Sequence, residues 1–176
     1  MNQQEIVNEI CASAENVFST MLGLELKSLE PVVEAAAPGP TEGVVSLVGL
    51  AGTWVGTGSL SCSADTARKV SGQFLMCEFE AVTEDVLDAI AELTNMIIGS
   101  FKTAMEEKVG TMGISIPTVI FGRNFTTRTL STHEWTKIPF ECCHGAFDIH
   151  ICLAPNNQHS QRHPRPPLHE PHPVGN

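Results

Sequence analysis

The sequence predicts an α+β fold in which an antiparallel sheet packs against helices, one of them long and carrying a Glu-x-x-Asn motif. Three observations carry this expectation. Helical hydrophobic spacing recurs in separate windows near residues 3–22, 64–76 and 85–104. Between and beyond them lie glycine-punctuated stretches whose apolar residues alternate with period two. The chain then closes on several such stretches in succession, the order of an α+β protein with antiparallel pairing. Residues 1–155 read as one domain, long enough to bury a core.

Each element has a local reason. Residues 3–22 place Ile6, Ile10, Ala14, Val17, Phe18 and Met21 at helical spacing, which predicts an amphipathic helix. LGLELKSLEP alternates Leu24 and Leu26 with polar residues and suits a short strand. EAAAPGPTEG, residues 34–43, is turn-rich and reads as a loop. GVVSLVGLAGTWVGTGSLSC predicts two strands turning near Ala51 and Gly52. Ser63 is placed to cap a helix over 64–76, and Thr83 to cap the long one, with Gly110 near its end. GISIPTVIFG predicts a strand broken at Pro117, which has no N–H for a sheet ladder. NFTTRTLS and a hairpin over 138–153 complete the antiparallel set. Residues 156–176 are rich in Pro and His with almost no apolar anchors, and read as a disordered, partly polyproline-like tail. The Glu-x-x-Asn helix has no second copy.

Composition narrows the function classes. A net charge of −10 argues against nucleic acid and anionic membrane surfaces, both of which attract basic patches. No stretch reaches the ~18 consecutive apolar residues of a membrane span, and the N-terminus lacks the pattern of a signal peptide. A cytoplasmic protein is the expectation.

The six cysteines raise the question of a metal. Cys142, Cys143, His144, His150 and Cys152 are the densest group. A hairpin turning at His144-Gly145 divides them: Cys142 joins Ile138, Phe140, Phe147, Ile149 and Ile151 on the buried face, while Cys143, His150 and Cys152 take the other. Adjacent cysteines on a strand point apart, and no CxxC spacing is present. No metal and no cofactor of its own is expected.

The long helix presents the residues of interest. At about 100° per residue, with Asp88 at zero, Glu92 falls near +40°, Asn95 near −20°, Gly99 near +20° and Lys102 near −40°. Val86, Ile90, Leu93, Ile97, Phe101 and Ala104 point the opposite way and anchor the helix on a core. A solvated face accounts for Asp88, Glu92 and Lys102, but asparagine and glycine are poor mid-helix residues. Met96 near +80° and Ile98 near −80°, with Leu87 and Ala91, put apolar shoulders beside the polar strip. Polar groups between apolar shoulders suit a docking surface.

Self-contained chemistry is hard to assemble elsewhere. The serines lie in no GxSxG context, GLAGTWVGTG lacks the lysine of a phosphate loop, and His133 stands alone before Trp135. What remains is an outward carboxylate and carboxamide on a rigid helix, able to complete another protein's active site.

Here a resemblance adds to the reading. Asp88-x-x-x-Glu92-x-x-Asn95, with Pro117 downstream in SIPTVIFG, resembles the signature of the CheC/CheX chemotaxis phosphatase family. That pattern is an acidic residue or serine, then Glu, then Asn, then a distant proline. GSLSCSADTARKVSGQFLMC resembles the strand–helix segment that precedes the signature helix, and the likeness runs from about the Val44 strand through Leu153. A single copy of the motif resembles CheX more than CheC, which usually carries two.

The resemblance implies a phosphatase acting on the phosphoaspartate of a CheY-type response regulator. Asn95 would orient the attacking water, Glu92 would pair with the regulator's active-site lysine, and Asp88 would support them. Met96, Ile98, Gly99 and Lys102 would form the partner-binding surround, with Mg²⁺ expected in the regulator's own site. A homodimer is expected from the resemblance and the available strand edges. Two further readings stay open on the residues alone: a regulator-binding module without catalysis, and a scaffold component of a chemotaxis or two-component assembly.

Overall fold

Three helices lie against one face of an antiparallel sheet in the computed structural model, which describes residues 2–34, 41–125 and 134–156. The chain runs α1 (Gln3–Val17), a π-helical turn (Phe18–Leu22), β1 (Lys27–Ser28), β2 (Val32–Glu34), β3 (Thr41–Gly52) and β4 (Trp54–Cys62). It continues through α2 (Ala64–Leu75), α3 (Glu84–Val109), β5 (Met112–Ile114), β6 (Thr118–Phe125), β7 (Trp135–Cys142) and β8 (Gly145–Pro155). The strands order as β1-β7-β8-β4-β3-β5, with β2 also on β7 and β6 also on β3.

The first helix opens on a capping box: the Asn2 side chain accepts from the Glu5 amide while Glu5 accepts from the Asn2 amide. Its buried stripe is Val7, Ile10, Ala14 and Val17, with Ile6 partly buried against the same core. The following turn is π-helical, closed by Gly23 at φ 68°. That wider turn rotates the phase, so Leu22 enters the core and Met21, expected there, is 46% exposed. Phe18 stacks on Phe147 at 5.0 Å, and Phe147 on Phe140 at 5.3 Å, joining the helix layer to β7 and β8.

Strand positions follow the expected alternation with small offsets. β3 and β4 turn at Thr53, and Pro117 separates β5 from β6. The short strand expected within LGLELKSLEP, residues 22–31, is confined to Lys27–Ser28, because Leu24 and Leu26 pack against the core from outside a ladder. β2 was not anticipated, and β3 begins inside the expected 34–43 loop. The last hairpin turns at Cys143-His144, one residue earlier than expected, with Cys142 opposite Gly145. Gly145, at φ 126°, follows the turn, and a Cβ there would meet Thr66 Oγ1 at 2.5 Å. NFTTRTLS after Phe125, His133 and the tail from 157 lie outside the described residues.

Ile138, Phe140, Phe147, Ile149 and Ile151 are buried under the helices as expected, and Cys142 is half-buried beside them. On the opposite face, His150 and Cys152 are buried, whereas Cys143 sits exposed in the turn. Among the described residues no three His, Cys, Asp or Glu side chains converge in a metal-binding arrangement. Also among these residues, no helix is long and apolar enough to cross a membrane.

Candidate functional site on the long helix

Helix α3 is fixed at both ends before its exposed face presents anything. At the N-terminal end Arg68 of α2 reaches the connecting loop, donating from Nη1 to the carbonyls of Phe79 (3.3 Å) and Glu80 (2.9 Å). Ser71 Oγ donates to the Val86 carbonyl at 3.2 Å. Thr83 stands at the N-cap position without a side-chain cap bond, and Glu84 and Asp85 occupy the first turn, where carboxylates favour the helix dipole. At the C-terminal end Glu106 accepts from Lys102 Nζ (2.8 Å) and from the Met112 amide (2.7 Å). The Lys102 contact, then the Met112 amide, hold the Glu106 carboxyl below the usual carboxylate range. This carboxylate ties the helix to β5, and through β5 to Pro117.

The buried face of α3 consists of Val86, Ala89, Ile90, Leu93, Thr94, Ile97, Ile98, Phe101 and Met105. It is wider than the stripe expected from periodicity because the helix packs on β3 and β4 on one side and on α1 and α2 on the other. Thr94, the polar member, satisfies its hydroxyl by donating to the Ile90 carbonyl at 2.7 Å. Ala104, expected in the stripe, is half-buried.

The exposed face carries the motif. Asp88 and Glu92 are exposed and Asn95 is half-buried, on successive turns of the same side. Among the described residues none of the three makes a side-chain hydrogen bond or an ion pair. Their polar atoms are therefore uncommitted. Gly99 continues the row: a Cβ added there would meet no atom within 4 Å, so the surface above it is open. Beside it a shallow groove between α1 and α3 is lined by Glu9, Ser100, Thr103 and Glu107.

The surround differs from the expectation in one clear respect. Ile98 is 1% exposed and seats on β4 over Gly58, so it belongs to the core and is not part of a partner-binding collar. Its −80° direction is the flank on which the helix meets the sheet, which angular spacing alone does not reveal. Met96 is partly buried, packed against the core. Lys102 is mostly covered, with its ammonium engaged by Glu106.

Exposed apolar residues are nonetheless present on and just before β6, a strand that contacts α3. Val119 lies opposite Ser46 and Phe121 opposite Val44, both buried residues, so these side chains share the helix-bearing face. Phe121 is 50% exposed and Ile116, in the loop beside Pro117, is 87% exposed. The period-two spacing of Pro117, Val119 and Phe121 was the sequence signal for this row.

Comparison with known proteins places the fold. Residues 44–141 match the family profile described as chemotaxis phosphatase CheX. A curated relative, the CheY-P phosphatase CheX of Thermotoga maritima, is 29% identical over 150 residues, covering 84% of this chain and 95% of the relative. The crystal structure of a chemotaxis protein CheX from Desulfovibrio desulfuricans superposes with a TM-score of 0.75 at 30% identity, covering 85% of this chain and 99% of that one. The CheX of Borrelia burgdorferi, crystallised as a CheX-CheY-BeF3-Mg²⁺ complex, shares the fold with a TM-score of 0.73 at 22% identity, covering 84% and 97% of the two chains.

Proposed function

The chain belongs to the CheX chemotaxis phosphatase family, and on that premise we propose that it hydrolyses the phosphoaspartate of a CheY-type response regulator. The observation that carries the proposal is the uncommitted Glu92/Asn95 pair on the exposed face of α3, inside the segment that matches the family. A CheX of the same fold crystallised with CheY supports a receiver domain as the partner.

In this reading Asn95 enters the regulator's active site and its carboxamide holds a water in line with the scissile P–O bond. The water oxygen bonds to phosphorus, the aspartyl oxygen departs with the bonding pair, and the water's proton passes to phosphate or solvent. An amide accepts and donates without titrating, so this role needs no tuned pKa. Glu92 pairs with the regulator's lysine and sets the docking register, Asp88 supports the acidic row, and Mg²⁺ belongs to the regulator's site. Phosphoryl transfer depends mainly on positioning and charge stabilisation, and a rigid helix supplies the positioning. Gly99 leaves the partner's backbone room to approach, and Met96 borders the contact. Lys102 acts chiefly by holding Glu106. The proposal includes a homodimer: among the described residues the outer edge of β6 pairs with no strand, and it bears Phe121.

The test follows phosphate loss from a Mg²⁺-loaded, phosphorylated receiver domain with wild type and with Asn95→Ala. Wild type should accelerate the loss, and Asn95→Ala should reduce that acceleration by about 10²-fold, the scale of a lost positioning contact. Equal acceleration by both proteins would remove Asn95 from the mechanism. Tight binding with an unchanged phosphoryl lifetime would leave a binding module in place of an enzyme.

A further inference from the structure

We propose that Gly58 of β4 is a positioning residue for the phosphatase reaction, setting how closely α3 lies on the sheet and so where Asn95 and Glu92 stand. The inference rests on the catalytic reading of Asn95. Ile98 is three residues beyond Asn95 on α3, on the adjoining turn, and its side chain is 1% exposed. It sits directly over Gly58, which is itself buried. A Cβ at position 58 would lie 2.6 Å from Ile98 Cδ1, 3.0 Å from Cγ1 and 3.2 Å from Cγ2. Carbon atoms pack at about 3.5–4.0 Å, so all three contacts are too short.

Neither side can give way cheaply. β4 is an interior strand: Gly58 is paired with Val48 of β3 on one side and with Ile151 of β8 on the other. Its backbone therefore cannot retreat without disturbing two ladders. Ile98 is β-branched, and in a helix its χ1 is held to one strongly preferred rotamer. Turning Cδ1 aside would still leave Cγ1 and Cγ2 against the added carbon. The remaining response is for α3 to rise or roll by about 0.5–1 Å, the shortfall of the 3.0 Å Cγ1 contact against normal packing. Because a helix moves as a rod, Asn95 moves with Ile98. A displacement of about 1 Å at a group that orients a nucleophile costs about 10²-fold in rate. The absent side chain at 58 thus acts through Ile98 on the height of the motif.

The experiment compares Gly58→Ala, Ile98→Ala, the double variant and Ile98→Phe. Each is measured well below its Tm, on the phosphorylated CheY-type receiver domain that wild type dephosphorylates, charged with acetyl phosphate in Mg²⁺. Gly58→Ala should lower kcat by about ten- to a hundredfold while KM stays within about threefold. Ile98→Ala leaves a void without lifting the helix, so it should lower Tm yet keep kcat within about threefold of wild type. The double variant should recover the kcat of Ile98→Ala, because the methyl at 58 then has space. Ile98→Phe, which crowds the contact from the helix side, should reproduce the kcat loss even if Gly58→Ala does not fold.

A wild-type kcat in Gly58→Ala or Ile98→Phe would overturn the inference, as would a double variant as slow as Gly58→Ala. So would a kcat that simply tracks Tm across the series. These failures are separable from failure of the catalytic reading, in which wild type would lack activity or Asn95→Ala would match it.

Discussion

Two groups of chemically capable side chains stand in contrast. In the β7–β8 hairpin, Cys142, Cys143, His144, His150 and Cys152 are crowded into a short stretch, yet the strands send them to different faces and two of them into the interior. On α3, Asp88, Glu92 and Asn95 are spread over eight residues, yet the helix aims all three at one outward surface. Residues dense along the chain therefore need not share a surface, whereas residues on successive helical turns do. The hairpin invests its residues in packing; the helix holds its polar residues out of it.

This contrast can be broken or sharpened by experiment. The largest expected effect is in the hairpin: Phe140→Ala removes a fully buried ring stacked on Phe147 and should cost about 3–5 kcal/mol in denaturant unfolding. Its folded fraction should keep the wild-type kcat, and a kcat loss in fully folded protein would give the hairpin a share in the chemistry. Next, Glu92→Gln should lower kcat/KM by about tenfold, mainly through KM, by removing a charge at the docking face. The deficit should shrink at high ionic strength; a salt-independent deficit would argue against an ion pair with the regulator.

Thiol labelling separates the same regions more gently. Burial pushes the Cys62 thiol up to about 12, whereas Cys77 and Cys143 are exposed. At pH 8 a thiol reagent should label Cys77 and Cys143 promptly and reach Cys62 only on unfolding, as peptide mapping would report. Prompt labelling of Cys62 would mean that the sheet opens readily there. Smallest of all, Cys143→Ser should change stability by less than about 0.5 kcal/mol and leave phosphatase activity intact. Sensitivity of the Tm to a chelator, lost in that variant, would reverse the comparison and make the hairpin a metal site.

Much of the architecture was legible because it follows from local periodicity. The three helices, the Ser63 cap, whose side chain accepts from the Thr66 amide, and the break at Pro117 each have a sequence cause within a few residues. The motif's outward direction was legible for the same reason: successive helical turns fix relative angles. What escaped depends on neighbours distant in the chain. Ile98 has the angle of a shoulder, but only the presence of β4 beneath it makes that shoulder an interface. Met21 has the right spacing for a regular helix and loses its place to a π turn. The exposed apolar row lies on β6, whose alternation was visible but whose contact with α3 required the sheet order.

The pairing of β4 with β8 has a consequence for biosynthesis. Leu60 is matched to Ile149, so the sheet beneath the helices lacks one of its strands until nearly the whole domain has been translated. Such distant pairings close slowly, since the intervening loop must lose its freedom first. A nascent chain arrested before β8 would already contain every residue of the motif, yet the strand that seats Ile98 would have an unpaired edge. In the proposed reading, recognition of a phosphorylated partner should therefore emerge abruptly, with the last strand rather than with the helix that carries the motif.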